Sequence, residues 1–262
     1  MTTIPIFRVG TRRLRPELLR DMGVSLRLEG KILQSDQALA MQDRSRTLVY
    51  AQPGARFAGL LFYIDQTRGM ATKVEKIVDE GSARGWAEDF LKRFEFHPNP
   101  PRDKRFLVAF ETYSYEANAV TYDGKERAKK PVGIEVASRI SLNSVAVIGP
   151  RAKVRMLFKD QEIPTWVHCS VWGSLGLVAE KDLLSEHDAV RLVRDRLHDR
   201  RGAKVATDIV NVRLAYYLGE YRGGPDLLLP YYFIEVEFKE SKGNERSDSQ
   251  GPGQVIQVPA CP

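Results

Sequence analysis

Between Gln37 and Asp65 apolar and polar positions alternate in three short bursts, Ala38–Gln42, Arg46–Ala51 and Gly59–Ile64, broken by Asp43-Arg44-Ser45 and by Gln52-Pro53-Gly54. A period of two marks half-buried strands, and the turn residues between the bursts predict a meander. The period then lengthens. Ala83, Trp86, Ala87, Phe90, Leu91 and Phe94 recur three and four apart, which predicts an amphipathic helix with Ser82 as its N-cap. His97-Pro98-Asn99-Pro100-Pro101 ends that helix, because residues before proline are pushed out of the α region. Phe106 to Tyr122 reads as β again. Upstream, residues 4–10 predict a strand, and Leu14, Leu18 and Met22 a short helix that opens near Pro16 and stops at Gly23.

A similar order returns further on. Ile134 to Ile148 predicts one bent or two short strands, Gly149-Pro150 a turn, and Lys153–Phe158 and Thr165–Trp172 a hairpin across Lys159-Asp160-Gln161-Glu162. Ser185-Glu186-His187-Asp188 then opens a helix with Ala189, Val190, Val193 and Leu197 as its buried stripe. Asp208–Leu218 and Leu227–Phe238 predict a last strand pair. Ser82 and Ser185, and Leu60–Ile64 and Trp166–Ser170, stand at a common spacing, as an internal duplication requires. The expected fold is therefore α+β: two related lobes, each a curved antiparallel sheet packed with one main helix. The expected organisation is an N-terminal arm and helix (1–35), a first lobe (36–122), a charged connector (123–133), a second lobe (134–239) and a flexible tail (240–262), whose Val255–Ala260 could dock as an edge strand.

Composition narrows the classes without selecting a reaction. With 43% hydrophobic and 28% charged residues among 262, the chain can bury a core and is not of disordered type. The 40 Lys+Arg against 34 Asp+Glu leave a formal charge of +6, spread along the sequence instead of gathered in a block. Nucleic acid is accordingly an unfavoured partner, and the signature of an RNA-recognition sheet is absent. No stretch has the length and apolarity of a membrane span or a secretory leader, so the expectation is a cytoplasmic protein, or a mature exported domain had a leader been removed. Cys169 and Cys261 are too far apart in sequence and context to suggest a disulfide framework.

The run Val147-Ile-Gly-Pro-Arg-Ala-Lys-Val-Arg-Met-Leu-Phe158, the strand containing Trp172, the helix from Ser185, the strand at Ala215-Tyr-Tyr217 and Leu229-Pro-Tyr-Tyr-Phe233 together resemble the tandem PepSY-like domains of bacterial proteins. The resemblance spans roughly residues 36–238. It implies a helix on a curved antiparallel sheet in each lobe, and a role in binding or inhibiting another protein.

The densest cluster of polar and aromatic residues is Trp166-Val167-His168-Cys169-Ser170-Val171-Trp172. On a strand Trp166, His168, Ser170 and Trp172 share one face and Cys169 takes the other, so His168 and Cys169 cannot form a nucleophilic pair. Glu111, Tyr113 and Tyr115 likewise share one face of the strand that contains them. Trp166, His168, Trp172, Glu111, Tyr113 and Tyr115 are the candidate ligand-binding residues. The histidines and cysteines have no metal-ligand spacing, and Gly219–Gly224 fits no phosphate-binding pattern, so neither a metal, a cofactor nor a catalytic set is expected. The functional expectation is a non-catalytic protein-binding or regulatory module. The alternative is a small-molecule-binding protein or enzyme using a cleft between the lobes.

Overall fold

A computed structural model describes residues 2–55, 58–68, 76–96, 106–120, 126–201, 205–219, 226–240 and 254–261. The first helix, α1 (Pro16–Ser25), follows strand β1 (Thr3–Thr11), with Pro16 in its first turn where a missing N–H costs nothing. A short strand that the pattern did not reveal, β2 (Lys31–Gln34), leads into the expected meander β3 (Ala38–Gln42), β4 (Arg46–Ala51) and β5 (Leu60–Asp65). Helix α2 (Glu80–Arg93) starts earlier than expected. Its N-cap is Asp79, whose carboxylate accepts from the Ser82 N–H at 2.9 Å and from the Ser82 hydroxyl at 2.7 Å, so Ser82 is a partner of the cap and not the cap itself.

The long strands β6 (Phe106–Val120) and β7 (Glu126–Leu142) come next, then β8 (Val145–Ile148), β9 (Val154–Phe158), β10 (Trp166–Ser170) and β11 (Trp172–Asp182). Helix α3 (Glu186–Arg201) opens on Ser185, whose hydroxyl accepts from the Asp188 N–H at 3.1 Å, as its sequence predicts. The chain closes with β12 (Val205–Tyr217), β13 (Leu227–Glu240) and β14 (Gln254–Pro259).

These strands do not form two α+β lobes. They join in a single mixed sheet of fourteen strands, and the described residues are mostly β with three short α-helices. The segments that lined up as duplicated equivalents are hydrogen-bonded neighbours: β5 and β10 pair antiparallel, with Leu60 opposite Ser170 and Ile64 opposite Trp166. From Glu126 onward the stretch read as a connector is the first part of β7. Pro131 lies at a register irregularity of β6 and β7, where a residue without an N–H is tolerated. Part of the tail, residues 254–259, docks on β13 as β14, while residues 241–253 lie outside the described set.

Strand pairing explains how one sheet serves more than one core. β6 occupies one edge of β7 along almost its whole length, so β8 (opposite 140–142) and β9 (opposite 134–137) share the other edge. Two branches leave that edge, one running β9-β10-β5-β4-β3-β2 and the other β8-β12-β13, where β1 and β14 dock along the far edge of β13. On the first branch α1 and α2 bury Leu19, Met22, Ala83, Ala87 and Leu91 against Leu61, Tyr63, Val136, Met156 and Val167. On the second, α3 buries Ala189 and Val193 against Ile234, Val236 and Val258. Between them Ile140, Val147, Tyr216, Phe7 and Trp172 form a third cluster. The paired register places Val136, Ile140, Val147, Tyr216 and their partners on one side of the sheet, so all three helices cover the same face. At Gly149 (φ +123°) the turn passes so close to the Leu218 carbonyl that a Cβ would stand 2.3 Å from its oxygen, which explains the glycine of the Gly-Pro turn.

The candidate site on the open face of the sheet

The face away from the helices carries the side chains that alternate with the core. Following the register across eight strands, Leu33, Ala40, Val49, Phe62, His168, Arg155 and Ala137 stand opposite one another in a row that ends at Glu111 on β6. The adjacent row runs Lys31, Gln42, Thr47, Ile64, Trp166, Leu157, Glu135 and Tyr113. Leu33 is 61% exposed and Phe62 38%, while Val49, Ile64, Trp166 and His168 are half-buried. The β2 end of this face is therefore apolar and open.

Its other end is ionic. Arg155 grips Glu135 in a bidentate pair, Nε to Oε1 at 2.7 Å and Nη2 to Oε2 at 2.8 Å, and its guanidinium stands 5.5 Å from the Trp166 ring centre. Trp166 meets His168 edge to face at 6.0 Å. Burial, reinforced by the Lys153 and Arg155 cations, lowers the pKa of the His168 imidazole and favours its neutral form. Farther along, Tyr113 donates to Glu111 Oε2 at 2.5 Å and Arg139 Nε reaches the same oxygen at 2.8 Å. The hydrogen bond to Glu111 holds the Tyr113 phenol proton on, raising its pKa.

The six sequence-predicted residues are thus only partly brought together. Trp166 and His168 share the open face with Glu111 and Tyr113, but three inter-strand steps separate β10 from β6, about 14 Å at ~4.8 Å per step. Tyr115 lies on β6, and its side chain is outside the described residues. Trp172 does not join them. The strand breaks at Val171, and Trp172 begins β11, 4% exposed, packed with Phe7 and Val9 and donating its indole N–H to the Arg151 carbonyl at 2.9 Å. Cys169 points into the opposite core, where burial pushes its thiol up, so it cannot serve as a nucleophile to His168. Sequence reasoning missed Phe62, Leu33, Arg155 and Glu135. The signal available for Arg155 was its alternation with Val154 and Met156, but its partner Glu135 is on another strand.

An open hollow lies elsewhere. A hollow of about 410 Å³ lies between the end of α1, the outer side of α2 and the turn at 162–164, with Leu26, Phe94, Phe158 and Ile163 in its floor and Trp86 and Phe90 in its wall. It is not a cleft between lobes, and neither Trp166 nor His168 lines it. Among the described residues no group of three or more His, Cys, Asp or Glu side chains is placed to hold a metal ion, and no helix is long and apolar enough to cross a membrane.

No family model matches the chain, and no curated protein matches it. Among solved structures it is similar to an uncharacterised protein from Eubacterium rectale, at 10% sequence identity and a TM-score of 0.43, over 98% of this chain and 82% of that one.

Proposed function

We propose that the chain is a non-catalytic binding module that engages a partner protein across the open face of its sheet. The observation that carries this reading is the one-sided packing: all three helices cover one face, and the other presents Leu33, Val49, Phe62, Ile64 and Trp166 to solvent. Contiguous exposed apolar surface with a polar rim is costly to leave bare and is characteristic of protein contact sites. Lys153, exposed just before β9 and near His168, sets the rim's character. The partner that fits is a protein surface with apolar side chains flanked by carboxylates, and a regulatory or inhibitory role of the kind the PepSY-like resemblance implies is compatible with such a contact.

The test uses tagged chain in lysate of its native host. Wild type enriches one protein in stoichiometric amount, Phe62→Glu reduces that enrichment at least tenfold, and Leu192→Glu, on the exposed side of α3, leaves it unchanged. Equal recovery with both variants would overturn the reading.

A second reading, binding of a small apolar ligand, is favoured by the aromatic lining of the α1–α2 cleft. On that reading an anilinonaphthalene sulfonate dye brightens on the wild type, Trp86→Ala abolishes the response, and Phe62→Glu retains it. A response independent of Trp86 would exclude the cleft as its source.

A further inference from the structure

Strand β11 is the outermost strand of its branch. It pairs with β1 from Thr3↔Asp182 to Thr11↔Trp172, and no described strand lies on its other side. Alternate N–H and C=O groups of an eleven-residue strand therefore face outward. Edge strands are ordinarily guarded by charges, prolines, bulges or brevity. The other outer strands show such guards: β2 has four residues and begins with Lys31, β14 has six and ends at Pro259, and β6 carries Glu111. β11 has neither a charge nor a proline from Trp172 to Ala179, and Leu177 and Val178 are 54% and 46% exposed in adjacent positions. Two irregularities in the pairing leave Gly173 and Val178 without partners on β1, and the stretch Ser174–Leu177 between them is regularly paired.

We propose that β11 is a self-association edge, on which a second copy of this chain adds antiparallel to continue the sheet through a two-fold axis. The sequence of the strand is self-complementary for that arrangement. Pairing about Leu177 sets Leu175 opposite Ala179 and Gly176 opposite Val178 of the other copy, so apolar meets apolar or small. The charges Glu180, Lys181 and Asp182 then fall opposite Ser174, Gly173 and Trp172, and no like charges meet. Gly176 has open space around it, leaving room for the neighbouring copy's Val178. The surface is distinct from the open sheet face of the first branch, so the two contacts are independent.

Sedimentation velocity on the full chain tests this. Wild type sediments at twice the chain mass, Leu177→Lys and Val178→Lys at the single mass with an unchanged circular dichroism spectrum, and Leu33→Lys, on the β2 edge, remains double. Amide exchange of wild type supplies a readout that needs no variant: residues 174–179 gain at least tenfold protection between dilute and concentrated protein. A wild type of single mass at its highest soluble concentration, a double mass that survives both β11 substitutions, or exchange in 174–179 that ignores concentration would each overturn the proposal.

Discussion

Arg151→Ala is expected to cost about 3–5 kcal/mol of folding stability, measured by urea unfolding, because it strands a largely buried carboxylate, Asp226. Arg151 follows the Gly149-Pro150 turn, and its side chain is 4% exposed. Its guanidinium donates from Nη1 to Asp226 Oδ1 at 2.6 Å, from Nη2 to Asp226 Oδ2 and to Thr11 Oγ1 at 2.8 Å each, and from Nε to the Ala58 carbonyl at 2.8 Å. One side chain thus ties the end of β1, the approach to β5, the β8–β9 turn and the start of β13. Asp226→Ala has a loss of similar size, since it leaves the cation without its bidentate partner. The double replacement Arg151→Met with Asp226→Leu recovers most of the loss, because removing both charges also removes their desolvation cost. A single-variant loss below about 1 kcal/mol would show the pair to be dispensable.

Phe158→Ala is expected to cost about 3 kcal/mol, the lower end of the range of about 3–5 for a buried phenylalanine. Phe158 is 1% exposed at the end of β9, its ring 5.9 Å from that of Trp86, and it forms part of the cleft floor. The cost of a lost ring depends on whether its cavity stays empty. Here the void opens into the cleft and admits water, whereas Met156→Ala, two residues away and fully buried, leaves a sealed gap. The urea midpoint of Phe158→Ala should therefore fall with little change in slope, and the cleft should enlarge. A loss above about 5 kcal/mol would place Phe158 in a part of the core that cannot admit solvent.

The sequence by itself determined most of the local structure. The meander β3–β5, the cap of α3 at Ser185 and the buried stripe of Ala189 and Val193 follow from side-chain periodicity and cap chemistry, which act within a few residues of chain. The alternation in β10 likewise placed Trp166 and His168 on one face and Cys169 on the other. What remained illegible was every relation between distant segments. Glu135 and Arg155 meet through the register of β7 and β9, and Arg151 finds Asp226 across 75 positions. Trp172 left the Trp166 face because the strand breaks at Val171 to enter a second pairing with β1, a competition alternation cannot express. Two similar orders of elements read as two lobes, yet β5 and β10 became neighbours in one sheet: backbone hydrogen bonding is indifferent to the side chains that produced the pattern, and only tertiary packing decides which edges join.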